Sequence, residues 1–229
     1  MLLPDYSTLP NELRSDEAKK YYDILSKKKI SLFFKRLLDI AAALILSVLL
    51  ALPMLLIALY VKLDSPGPVF FRQRRVTAGG RVFRIFKFRT MYVNDNEKHA
   101  QVTGGSDSRI TKAGHFLRRL RLDELPQVFN VLTGDMSFVG TRPEVERYVQ
   151  AYTPEMYATL YMPAGITSMT SIKYKDEETL LESSDDVEKT YIEEILPEKM
   201  KYNLEYIEKF SVFYDIYIMI MTVVKVFFD

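Results

Sequence analysis

Two neighbouring carboxylates, Asp123 and Glu124, are the side chains of this sequence best placed to do chemistry. They sit in the run Arg121-Leu122-Asp123-Glu124-Leu125-Pro126-Gln127-Val128-Phe129-Asn130, just ahead of an apolar period at Leu125, Phe129 and Leu132. Pro126 is tolerated only in a first helical turn and Gly134 is a stop, so the pair is expected to open a helix. Unpaired backbone N–H groups and the macrodipole at such an end favour anions, which keeps the carboxylates ionised and lets a phosphate bind beside them. From these two residues alone, an acidic helix start with no chemistry is the commoner alternative. Three cations, Arg118, Arg119 and Arg121, precede the dyad on a short helix expected from Lys112 with Phe116, Leu117 and Leu120 as its apolar residues. One turn brings Arg118 beside the carboxylates, where a guanidinium neutralises a diphosphate through paired donors. Arg119 and Arg121 are equally consistent with facing solvent or lipid headgroups.

The elements that must hold these residues come from 229 residues, enough for one domain with a real core plus attached parts. Cysteine is absent, which excludes disulfides, thiolate nucleophiles and Cys-based zinc sites. The two histidines, His99 and His115, have no ligand spacing, so a His-dependent metal site or triad has no support. The first ten residues show no basic stretch followed by an apolar core, so no cleavable secretory signal is expected.

Leu37 to Val61 is apolar apart from Asp39. As one helix it would reach about 38 Å, enough to cross a hydrocarbon core of about 30 Å. Two features favour a segment that enters and returns. Pro53 breaks the helix into pieces of about 24 and 14 Å, each too short to cross. Both flanks are basic: Lys19, Lys20, Lys27, Lys28, Lys29, Lys35 and Arg36 stand against Asp23 on one side, and eight cations stand against Asp64 over residues 62–89 on the other. The positive-inside rule disfavours placing either flank outside. An ordinary transmembrane helix is the alternative.

Val69–Val76 and Val82–Arg89 are rich in strand formers and separated by Thr77-Ala78-Gly79-Gly80, the signature of a hairpin. Its mixture of aromatic and basic side chains suits an anionic membrane surface, with nucleic acid as the rival. Residues 94–108 are polar and turn-prone and are expected to form a loop, either closing over a ligand or disordered. Leu196, Met200, Leu204 and Ile207 mark an amphipathic helix. Beyond it, Ser211–Phe228 is apolar with one polar stripe of Ser211, Asp215, Thr222 and Lys225, suited to a helix in the membrane interface or packed on the domain. A plain core helix is an equal alternative.

The dyad run, with the Asp135-Met136-Ser137-Phe138-Val139-Gly140-Thr141-Arg142-Pro143 that follows it, resembles the signature of the bacterial sugar transferases, the monotopic phosphoglycosyl transferases. So does Phe83-Arg84-Ile85-Phe86-Lys87-Phe88-Arg89-Thr90-Met91, and so does a helix-break-helix after a Lys-Arg pair, here Lys35-Arg36 with the bend at Leu52-Pro53. Two departures stand out. Thr141 replaces a proline, and Pro163-Ala164-Gly165-Ile166-Thr167-Ser168 lacks the Arg of the usual Arg-Pro-Gly-Ile-Thr-Gly, so that any contact of that Arg is either absent or supplied by another cation such as Lys173 or Lys175.

The resemblance implies an α+β, mainly helical fold: a polar N-terminal extension over residues 1–34, a re-entrant membrane hairpin over 35–62, and a cytosolic catalytic domain with interfacial helices over 63–229. It implies transfer of a phospho-sugar from a UDP-sugar to a polyprenol phosphate, with release of UMP and with Mg²⁺, at the cytosolic face of a bacterial inner membrane. Asp123 would attack the sugar-bearing phosphorus to give an acyl phosphate that the lipid phosphate displaces. Glu124, with Asp123, would hold the metal. Lys87, Arg89, Arg118 and Arg142 would bind phosphate, and Lys35, Arg36 and Pro53 would anchor and bend the membrane segment. Direct attack by the lipid phosphate, without an enzyme adduct, uses the same residues. Anionic phospholipid is an expected partner, nucleic acid is not, and a homodimer is compatible with the sequence. The rival in another class is a catalytically silent membrane scaffold that binds nucleotide or polyprenol phosphate.

Overall fold

The computed structural model describes residues 3–93, 108–174 and 186–228; the loop expected over 94–108 lies outside these except for Ser108, as does Lys175. The chain is a mainly helical α+β protein. After two short 3₁₀ turns come α1 (Asp16–Ser26), α2 (Lys29–Leu49) and α3 (Ala51–Asp64). A hairpin follows, β1 (Phe70–Val76) with β2 (Val82–Phe88), then α4 (Lys112–Arg119) and α5 (Gln127–Thr133). The second half contains β3 (Met136–Val139), α6 (Glu146–Val149), β4 (Ala164–Thr167), α7 (Met169–Lys173), α8 (Val187–Thr190), α9 (Leu196–Lys209) and α10 (Val212–Phe228).

The helix pair bends by 61°. Among the described residues no single helix is long and apolar enough to cross a membrane. The break falls at Leu50, three residues before Pro53, and not at Leu52-Pro53 as expected. Proline cannot donate to the carbonyl four residues earlier, Leu49, and its ring crowds that turn, so α2 must end there. Pro53 itself then occupies the first turn of α3, where no intrahelical donor is required. Beyond Ala43 the pair turns large side chains outward, among them Ile45, Val48, Leu49, Leu52, Leu55 and Leu63.

Lys35 and Arg36 fasten α2 to the body of the protein. Lys35 is 5% exposed; its Nζ donates to Asp215 Oδ2 on α10 at 2.7 Å and to the Val139 carbonyl at 2.8 Å. Arg36 donates to the Val131 and Leu132 carbonyls at 2.6 and 3.1 Å, satisfying the orphan acceptors at the end of α5. Asp39 accepts from the Phe138 N–H at 3.2 Å, so all three charges pin α2 against α5 and β3.

The N-terminal segment is likewise built into the body. Leu9, Leu13, Ala18, Tyr21 and Leu25 are buried in the largest core cluster with Tyr161, Leu196, Met200 and Ile207. The Tyr161 hydroxyl donates to the Leu13 carbonyl at 2.6 Å. The expected amphipathic α9 forms, with Leu196, Met200, Leu204 and Ile207 all buried.

The expected hairpin forms with antiparallel register Gln73↔Ile85 at its centre. Phe83 and Ile85 pack on Ala43, Val128 and Val131, while Phe88 on the opposite face packs on Met54, Val61 and Leu117. The hairpin is thus gripped between α5 on one face and α3 with α4 on the other. A second sheet, the parallel pair β3–β4, was not anticipated: the strands are four residues each and far apart in sequence. Their crossing is tight, since a Cβ on Gly165 would stand 2.2 Å from the Gly140 nitrogen.

Candidate active site

The dyad lies in a 3₁₀ turn, Leu122–Glu124, that precedes α5, and not in the first turn of α5 itself. Pro126, with φ −64°, caps the helix but has no N–H, so the turn upstream closes through Leu125 N–H to Leu122 C=O at 3.3 Å. Arg121 enters it in the left-handed region, φ 53°, a strained backbone for a residue with a Cβ. That sharp reversal swings the chain from α4 into the turn and buries Asp123, which is 8% exposed. Gly134 ends α5 at φ 86°, as the sequence suggests.

Two cations converge on Glu124. Lys87 Nζ lies 2.8 Å from Oε1; Arg142 places Nη2 2.7 Å from Oε1 and Nη1 3.4 Å from Oε2. Lys87 is also 4.0 Å from Asp123 Oδ2. The buried Asn130 fixes its reach: the Asn130 amide accepts from the Phe86 N–H at 2.8 Å and donates to the Arg84 carbonyl at 3.0 Å, lashing β2 to α5. Arg142 is held from behind. Arg75 Nη1 donates to the Pro143 carbonyl at 3.0 Å, and the next residue, Glu144, is buried between the Tyr191 hydroxyl at 2.6 Å and Lys199 Nζ at 3.4 Å. Arg75, Glu144, Tyr191 and Lys199 are missed by the sequence reading; a buried charge network gives no periodic signal.

The two acids differ electrostatically. Burial pushes the Glu124 carboxyl up, but the charges of Arg142 and Lys87 and their hydrogen bonds outweigh it and hold it well below the usual carboxylate range. Asp123 goes the other way: burial raises it, the Glu124 charge adds to that, and Lys87, Arg142 and Arg118 only partly compensate. One carboxylate is locked as an anion between cations; its neighbour is a more basic carboxylate.

Lys87, Arg118 and Arg142 therefore join the dyad, as the sequence suggests. Arg89 does not. Its guanidinium is buried under the end of α3, where Nη2 donates to the Ser65 carbonyl at 2.6 Å and hydroxyl at 2.9 Å. A helix C-terminus presents carbonyls that need a donor, and Arg89 supplies it. Lys173, one candidate for the missing cation, lies 4.1 Å over the Tyr202 ring.

A cavity of about 290 Å³ adjoins the site, lined by Glu124 and Arg142 together with Leu46 and Leu50 at the helix bend. Its walls are mostly apolar, with Leu125, Phe138, Ile166 and Ile172 among them.

The site is thus a buried acidic pair set among cations, next to a mostly apolar cavity at a bent apolar helix pair. The chain belongs to the bacterial sugar transferase family, whose sequence profile matches residues 30–229. It is 41% identical over 202 residues to the UDP-glucose:undecaprenyl-phosphate glucose-1-phosphate transferase of Escherichia coli K12, covering 86% of this chain and 41% of that protein. It is 40% identical over 195 residues to the UDP-N-acetylgalactosamine-undecaprenyl-phosphate N-acetylgalactosaminephosphotransferase of Aeromonas hydrophila, covering 83% and 43%. Against a UDP-glucose:undecaprenyl-phosphate glucose-1-phosphate transferase of Caulobacter vibrioides the identity is 36% over 192 residues, covering 82% and 68%. The chain thus spans about two fifths of the length of the first two relatives.

Proposed function

We propose that this protein is a phosphoglycosyl transferase: it moves a sugar phosphate from a UDP-sugar to a polyprenol phosphate and releases UMP. The observation that carries the reading is the unequal dyad, Glu124 clamped by Lys87 and Arg142 and Asp123 left as the more basic oxygen. An Asp123 carboxylate oxygen attacks the phosphorus that bears the sugar; the new O–P bond forms as the bond to UMP breaks, and UMP leaves with the electron pair. An oxygen of the lipid phosphate then attacks the same phosphorus, and the Asp123 carboxylate departs. Lys87, Arg118 and Arg142 balance the charge that the phosphoryl oxygens carry through both steps.

Two adjacent carboxylates fit Mg²⁺, which keeps most of its waters and takes one or two protein ligands beside a diphosphate. Asp123 and Glu124 would hold the ion, and when bound it would screen the diphosphate charge.

The bent pair α2–α3 serves in this reading as a re-entrant anchor. Its outward leucines, the 61° bend and the basic flanks at both ends support entry and return on the cytosolic side.

Incubation with UDP-sugar labelled in the sugar phosphate is the test. Hydroxylamine-sensitive label on Asp123, absent in Asp123→Asn, is the expected result; wild-type turnover by Asp123→Asn rejects the assignment. Exchange of labelled UMP into UDP-sugar without lipid separates this route from direct attack by the lipid phosphate.

A further inference from the structure

Arg142 reaches Glu124 from a segment with no ladder of its own: residues 141–145 belong to no helix or strand. Neighbouring elements hold that segment in place. Ahead of Arg142, the Val139 carbonyl accepts from Lys35 Nζ at 2.8 Å and the Thr141 carbonyl from the Gly165 N–H at 2.8 Å. After it, the Pro143 carbonyl accepts from Arg75 Nη1 at 3.0 Å and the Glu144 carbonyl from the Val76 N–H at 2.9 Å. Strand β1 thus grips the segment, while β2, its partner in the hairpin, carries Lys87, the other cation on Glu124.

The Glu144 side chain makes a second hold, toward the C-terminal helices. Its Oε1 accepts from the Tyr191 hydroxyl at 2.6 Å and lies 3.4 Å from Lys199 Nζ, and its Oε2 lies 4.0 Å from Arg75 Nη1. Lys199 Nζ in turn donates to the Tyr191 hydroxyl at 2.9 Å. A π turn, Tyr191–Ile195, separates α8 from α9. Residues seven apart share a face over two ordinary turns; the extra residue of the π turn brings Tyr191 and Lys199, eight apart, onto one side. Burial pushes the Glu144 carboxyl up, but the charges of Lys199 and Arg75, the Tyr191 hydrogen bond and the charge of Arg142 outweigh it and hold it below the ordinary glutamate value. Arg142 thus lies in the field of Glu144 as well as in contact with Glu124. A buried network of this kind adds little stability over apolar packing, because desolvation offsets the attraction, but it holds one geometry. We propose that Glu144 is a positioning residue for the transfer: clamped by Tyr191 and Lys199, it sets the place from which Arg142 directs its fork at the dyad. This inference rests on the transferase reading above and adds to it residues that act on the reaction through Arg142.

The test is a double-mutant cycle in the full chain in lipid nanodiscs, followed by UMP release with undecaprenyl phosphate and UDP-sugar varied separately. Glu144→Gln keeps an acceptor for the Tyr191 hydroxyl and removes the charge. It should lower kcat about tenfold, part of the roughly 100-fold cost of a misplaced transition-state donor, and leave the KM of either substrate within about twofold. In an Arg142→Lys background, where the fork is already lost, the same change should cost less than about twofold. Tyr191→Phe keeps both charges and removes one hydrogen bond. It should follow the same pattern with a smaller drop, and it decides the matter if Glu144→Gln does not fold. Losses of full size in the Arg142→Lys background mean that the network acts on the fold and not through Arg142, and they overturn the proposal. Wild-type kcat in both variants overturns it too, as does a rise in KM at constant kcat. If wild-type protein releases no UMP from any UDP-sugar, the transferase reading itself fails and this inference falls with it, an outcome distinct from the others.

Discussion

Arg142 grips Glu124 in a two-pronged contact, with Nη2 2.7 Å from Oε1 and Nη1 3.4 Å from Oε2. The fork geometry of arginine allows this and the point charge of lysine does not. Arg142→Lys should therefore keep the charge and lose the orientation, lowering kcat/KM on the order of 100-fold, the usual cost of one misplaced transition-state donor. The same variant weakens the paired hydrogen bonds that help depress the Glu124 carboxyl, whose pKa should rise toward the usual carboxylate range. An unchanged Glu124 carboxyl titration, followed by NMR in wild type and variant, would show that Glu124 does not depend on this contact.

Asp123 provides the opposite sign. Burial first, and the Glu124 charge second, raise its carboxyl above the ordinary aspartate value. Only the carboxylate attacks phosphorus, so activity should fall as pH drops through that raised pKa. Lys87→Met takes away a charge that pulls Asp123 down, which should carry the acid limb further up. Formation of the labelled adduct against pH, in wild type and variant, measures it.

The site was legible in sequence to the degree that it is local. Asp123, Glu124 and Arg142 lie in one continuous run, and Lys87 lies near the end of a strand whose hairpin turn is written in Thr77-Ala78-Gly79-Gly80. Arg89 misleads because the period of two that would place it on the face of Lys87 stops at Phe88, where the strand ends. One residue beyond, its guanidinium is drawn to the Val61 and Ser65 carbonyls at the end of α3. For the Lys35-Arg36 pair the sequence leaves the contacts open: basic residues before an apolar run suit headgroups as well as buried carbonyls, and the buried partners appear only with the packing of α2 on α5. Strands β3 and β4 pair across 27 intervening residues, from Met136 with Ala164 to Val139 with Thr167, and four-residue strands have too little alternation to announce themselves. Arg75, Glu144, Tyr191 and Lys199 come from four separate elements, so no spacing in the chain connects them.

Lys35 and Asp215 make a buried ion pair that joins α2 to the last helix, with side chains 6% and 8% exposed. Removing one partner leaves the other charge buried and uncompensated, which typically costs about 3–5 kcal/mol. The Tyr206 hydroxyl, 2.7 Å from Asp215 Oδ1, would remain as a lone donor. Lys35→Met should thus lower the thermal midpoint in detergent by many degrees. The double variant Lys35→Met with Asp215→Leu should recover most of the loss, because replacing both charges with apolar groups removes the desolvation cost as well as the attraction. Equal destabilisation in the single and double variants would mean that packing around α10, and not the charge pair, fastens the helices together.

The break at Leu50 is the last relationship with a direct readout. Met54 N–H bonds to the Leu50 carbonyl and Leu50 N–H to Leu46, both at 2.8 Å, so the ladder resumes immediately on either side of the bend. The interruption is thus local to the donor that Pro53 lacks and the crowding of its ring against Leu49. Pro53→Leu restores the donor and permits one continuous helix across 29–64, long enough to span the hydrocarbon core. Since the chain has no cysteine, single reporters at Lys29→Cys and Lys62→Cys can be read without background. In inside-out vesicles both should react with a membrane-impermeant maleimide when Pro53 is present. With Pro53→Leu, one of the two should become protected in a fraction of molecules as the far flank is carried across. Opposite-side labelling in the wild-type chain would reject re-entry outright, and identical labelling with and without Pro53 would mean that the packing of α3 on α4 and β2 holds the bend without help from proline.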